Sequence, residues 1–101
     1  MRTAEEHAAA AASARELEQV RAELHKVLNC LVGPQGTEFR RSAGDPCHGE
    51  SALQKLPNGS VNRIRVAKAV RLAAVGVTFH DFQPANLTAQ AVQAVLQEGT
   101  R

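Results

Sequence analysis

Residues 15–31 read RELEQVRAELHKVLNCL. Leu17, Val20, Leu24, Val27 and Leu31 recur in this stretch at alternating spacings of three and four, the a/d seam of an amphipathic or coiled-coil helix. Glu16 and Glu23 fall at g positions and Arg21 at an e position, so a parallel pair of such helices can set Glu16 against the Arg21 of a second copy. Glu18 with Arg21, and Glu23 with Lys26, are opposite charges three residues apart on one helical face. Ala10 and Ser13 carry the seam backward with small side chains.

Upstream, Thr3-Ala4-Glu5-Glu6 has the form of a capping box. The 25 residues after it contain no Gly or Pro and are rich in Ala, Glu, Arg and Leu, all good helix formers. Gly33-Pro34 stops the run. The pattern predicts one long helix over residues 4–31.

Downstream, residues 32–50 are punctuated by Gly33, Pro34, Gly36, Gly44, Asp45-Pro46 and Gly49, which marks a loop. Thr37–Arg40 is a candidate short extended piece. Ser51–Leu56 reads as a short helix stopped by Pro57-Asn58-Gly59, and Ser60 as the N-cap of a helix over 61–75 closed by Gly76. The competing reading turns Pro57–Ser60 into a hairpin between Leu53–Leu56 and Val61–Val66, on the strength of Val61, Ile64 and Val66. Ala67, Lys68, Ala69 and Leu72 favour the helix.

On that helix Val66, Ala69, Val70 and Ala73 share one side, while Val61, Ile64, Leu72 and Val75 share the other. A helix apolar on two sides is expected to lie between neighbours. Val77–Phe79 reads as extended and Asp81–Pro84 as a turn. A last helix over about 89–97 then follows, with Thr88 as N-cap, Leu87 and Val92 as a hydrophobic staple, Val95 and Leu96 on its buried stripe, and Gly99 as terminator.

The expected fold class is therefore all-α, in a single small domain spanning residues 1–101. It comprises the long amphipathic helix, the Gly/Pro-rich loop at 32–50 and two to three shorter helices over 51–99. The core is thin. Of the apolar residues 18 are Ala, against ten Val, nine Leu, one Ile, three Phe and no Trp or Tyr. So small a chain gains much from a partner, a disulfide or a metal.

Net charge is only +2, but residues 60–82 hold Arg63, Arg65, Lys68 and Arg71 against Asp81 alone. That patch, with the helix after it, permits a small nucleic-acid-binding regulator in which the basic helix lies on phosphates. The connection to the last helix, about a dozen residues on this reading, is long for a helix-turn-helix. That helix offers Thr88, Gln90 and Gln93 near its start and no cation before Arg101. No apolar run is long enough to span a bilayer, and Glu5 and Glu6 stand where a signal peptide carries positive charge. A cytoplasmic protein without membrane partners is the default expectation.

Cys30 and Cys47 admit three readings. A disulfide would close a loop of roughly 17 residues and contribute about 3 kcal/mol. Against it, reducing compartments keep thiols free, and two unrelated structural thiols are the second reading. A metal site would need His25 and His48 as further ligands, but five residues separate His25 from Cys30, which points them apart on a helix. His80-Asp81 and Cys47-His48 are sequence neighbours without an orienting third group, and no phosphate loop, dinucleotide fingerprint or nucleophile elbow is present. No enzyme activity, cofactor or metal is expected. The leading expectation is a protein-interaction or assembly module that self-associates or docks a partner through Leu17, Val20, Leu24, Val27 and Leu31. The nucleic-acid regulator is the alternative.

Overall fold

The computed structural model describes residues 1–98, and the expected terminator Gly99 lies outside them. Among the described residues every regular element is helical. Helix α1 spans Arg2–Ser13, α2 Leu17–Val32, α3 Ala52–Lys55, α4 Val61–Gly76 and α5 Phe82–Glu98, with a 3-10 turn at Arg41–Ala43. The all-α expectation holds, and the hairpin reading of residues 53–66 does not.

The first correction concerns the long helix. Residues 4–31 do not form one rod, because Ala14 and Glu16 are extended, with ψ of 147° at both. A straight helix over 4–31 would measure about 42 Å, more than the longest 35 Å dimension of the molecule. Folding α1 back onto α2 and α5 buries Ala4, Ala8 and Ala11, a stripe that a straight rod would leave in water. Their small side chains let the helix backbones approach closely. The capping box is also absent: Thr3 lies inside α1, and Glu6 pairs with the exposed Arg2 at 3.2 Å.

The seam of α2 is buried inside this one chain. Val20, Leu24, Val27 and Leu31 are each 0% exposed, and Leu17 packs half-buried on the same core. They meet α1, α4 and α5, so the expected interface is the molecule's own core and offers nothing to a second copy. The expectation of a homo-oligomer built on that seam loses its basis. The 0% values answer the question that a thin core raised: Ala-rich helices packed closely around α2 cover it.

The loop at 33–50 is gripped by three consecutive residues in the last turn of α2. Asn29 is fully buried; its Nδ2 donates to the carbonyls of Arg40 (2.8 Å) and Gly44 (2.6 Å), and its Oδ1 accepts from Arg40 N–H (2.9 Å). Cys30 is bonded to Cys47, with Cα atoms 5.2 Å apart. The Leu31 carbonyl accepts from Ser51 Oγ at 3.0 Å, and the same Oγ caps α3 by accepting from Gln54 N–H. Gly33, where α2 ends, has φ of 75°, and a Cβ there would stand 2.7 Å from that of Ser51. Thr37–Arg40 forms no strand.

Two further corrections fall on the C-terminal half. Residues 77–79 are not extended but close α4 in turns, with Val77 N–H on the Ala73 carbonyl and Thr78 N–H on that of Val75. Helix α5 then starts at Phe82, several residues before Thr88. Pro84 sits in the first turn, where a missing N–H costs no hydrogen bond. Thr88 does not cap; its Oγ1 donates to the Pro84 carbonyl at 2.7 Å. The buried stripe of α5 is Ala85, Ala89, Val92 and Leu96, with Val95 half-buried and Leu87 63% exposed. Gly76 is the last residue of α4 and serves close packing, since a Cβ there would meet Leu24 Cδ1 at 2.7 Å and Thr88 Cγ2 at 3.1 Å.

Candidate functional site

Helix α4 forms where Ser60 initiates it: the Ser60 side chain accepts from Arg63 N–H at 3.1 Å. Its inner side, Val66, Ala69, Val70 and Ala73, is buried against α2 and α5. Its other apolar side is not sandwiched as expected. Val61 is 65% exposed, Ile64 49% and Val75 52%. With the exposed Lys68 and Arg71 they form a row at positions 61, 64, 68, 71 and 75, the three-four spacing of a helix face. The row runs about 21 Å, aliphatic at both ends and cationic in the middle.

The four cations singled out in the sequence separate into two pairs. Arg63 Nη1 donates to the carbonyls of Leu53 and Leu56, both at 2.8 Å, and so ties α3 to α4. Arg65 Nη1 donates to the Glu98 carbonyl at 2.9 Å, at the negative end of the α5 dipole. Lys68 and Arg71 make no ion pair or hydrogen bond with any described residue. No acidic residue lies on α4, and α5 carries only Glu98. The sequence identified these cations but not their division of labour, because nothing local shows which carbonyls a guanidinium reaches.

The helix-turn-helix comparison also changes. Residues 77–81 are the whole connection between α4 and α5, shorter than the sequence suggests. Helix α5 opens on Phe82-Gln83-Pro84 and contains no Lys or Arg, so it has no cation to place on a phosphate. Thr88, Gln90 and Gln93 lie in its interior rather than at its start.

Cys47 is half of a disulfide and holds no thiol beside His48. Among the described residues no three His, Cys, Asp or Glu side chains are grouped to hold a metal ion. His25 is turned toward Arg40, whose Nη1 lies 3.2 Å from His25 Nε2. Arginine only donates, so Nε2 accepts and the proton sits on Nδ1, which is buried without a partner. Burial, then the charges of Arg40 and Arg21, hold the His25 pKa below its ordinary value. His7 Nδ1 lies 2.6 Å from Glu23 Oε2 and pins α1 to α2. An open groove at the corner of those two helices is lined by Ala10, Ser13, Ala14, Gln19, Ala22 and Glu23, and the Ser13 hydroxyl is turned back onto the carbonyls of Ala9 and Ala10.

No protein-family model, no curated protein and no solved structure matches this chain. No described helix is long and apolar enough to cross a membrane.

Proposed function

We propose that the protein is a non-enzymatic protein-interaction module and that it docks its partner on the outer face of α4, not on the α2 seam. The observation that carries this reading is the row Val61, Ile64, Lys68, Arg71 and Val75, exposed along its whole length on a helix whose other side is in the core. Three large aliphatic side chains held in one line on a rigid helix supply the apolar anchors that helix-mediated recognition uses. The adjoining cations give the surface a sign.

Two free cations favour the nucleic-acid alternative weakly. A phosphate surface offers nothing to Val61, Ile64 and Val75, and Arg63 and Arg65 already serve intramolecular carbonyls. The cytoplasmic placement expected from the sequence is weighed against by the Cys30–Cys47 bond, since cytosolic thiols are kept reduced. An oxidising compartment is the more consistent setting.

Selection of a displayed helical-peptide library against the folded chain tests the reading. Enriched peptides are expected to lose binding to the triple variant Val61→Ser, Ile64→Ser, Val75→Ser, whose circular dichroism stays that of the parent. Peptides that bind parent and variant equally would overturn it. Salt-sensitive binding of random duplex DNA that vanishes in Lys68→Gln with Arg71→Gln would move the function to the alternative.

A further inference from the structure

The arrangement of charge along α4 narrows the partner further, on the premise that this face is the docking surface. Lys68 stands midway between Val61 and Val75, and Arg71 lies one turn beyond it, so the aliphatic ends bracket a cationic centre. Neither cation is paired with any described residue. A partner that covers the row must therefore desolvate both, which an opposing anion offsets, and a carboxylate carried among apolar side chains meets the aliphatic ends as well, as a phosphate backbone does not.

We infer that the outer face of α4 receives an acidic amphipathic helix, whose apolar side chains near its two ends flank carboxylates at its centre. A helix is the matching shape because the row is straight, about 21 Å long and spaced at three and four, which suits ridge-into-groove packing. A second copy of this chain is the wrong occupant. A parallel two-fold pair of α4 helices sets Lys68 and Arg71 against their own equivalents, and an antiparallel pair centred between the two cations sets Lys68 against Arg71 of the other copy; either way like charges face one another across the interface and destabilise it. The chain's remaining exposed acids, such as Glu16 and Glu18 beside the α1–α2 corner, lie on other elements and leave α4 cationic.

The test uses two synthetic helical peptides of about 18 residues. Both carry Leu where Val61, Ile64 and Val75 would be met; one carries Glu and the other Lys opposite Lys68 and Arg71. Titrated against the full disulfide-bonded chain, the Glu peptide is expected to bind at least about tenfold more tightly than the Lys peptide, with the preference shrinking as salt rises. The double variant Lys68→Glu, Arg71→Glu is expected to reverse the preference. Both sites are exposed, and thermal unfolding of the variant checks that the fold is kept.

Equal binding of the two peptides, binding of neither, or a preference that survives the charge reversal would overturn the acidic-helix inference. None of these touches the α4 docking surface itself, which stands or falls on the library selection. A dimer in light scattering that the Val61→Ser, Ile64→Ser variant disperses would identify a second copy as occupant and overturn the inference as well.

Discussion

Asn29 shows how much structure one polar side chain holds. It lies in the apolar interior with three hydrogen bonds to the backbone of Arg40 and Gly44. Asn29→Ala would strand those groups and is expected to destabilise the chain by about 2–4 kcal/mol, measured by urea unfolding. His25 makes the pH dependence specific. Its folded pKa lies below the ordinary 6.5, so as pH falls the unfolded chain takes up the proton first. Stability is then full above about pH 6.5 and declines below it. In His25→Gln the fall in melting temperature from pH 7 to pH 5 is expected to be smaller; an identical fall would assign the effect to other groups. Neither role was legible from sequence, where Asn29 is an unremarked residue inside a helix and His25 a candidate ligand. Their partners, residues 40 and 44 for one and Arg40 and Arg21 for the other, are set by tertiary folding.

At the scale of the element, the signals that succeeded were local and chemical. Ser60 caps the helix that follows it, and Gly33 ends α2 at a positive φ, whereas Ser51, read as the first residue of a helix, caps α3 instead. The signals that failed lay where the chain turns without Gly or Pro. Ala14-Arg15-Glu16 has no breaker, and helix propensity alone runs through it; the break is stabilised by seating the Ala4–Ala8–Ala11 stripe on α2 and α5. The opposite failure is Pro84, a proline where the chain does not turn, because a place in the first turn of α5 cannot be told from a breaker by sequence. The Ala stripe yields a sharp expectation. Ala8→Leu places bulk between closely packed helices and should cost about 1–3 kcal/mol. In a straight, solvated N-terminal rod the same change would be near neutral, so thermal unfolding of this variant separates the two architectures.

For the whole molecule, the fold class and the apolar set at the centre of the core could be read from the sequence, whereas the identity of the interaction surface could not. Periodicity marks a face as apolar without saying whether the chain itself covers it. The α2 seam and the outer row of α4 have the same three-four spacing, yet one is enclosed and the other bare, because α1 folds back on α2 while no described element covers the outer row of α4. The disulfide is a whole-molecule term of another kind. Its contribution of about 3 kcal/mol implies that reduction lowers the melting temperature by roughly 10–20 °C. Cys30→Ala with Cys47→Ala should do the same, and calorimetry with and without reductant measures both. A drop of only a degree or two would mean that Asn29 and Ser51 alone hold the loop.

Helix α1 rests on α5, and Asn86 Nδ2 donates to the Ala12 carbonyl at 2.9 Å. The first helix of the fold thus has permanent neighbours in the last. During synthesis the alanine stripe can meet α2 at once, but its seat is complete only when α5 has also been made, so full native docking of α1 waits on the helix farthest from it in the sequence.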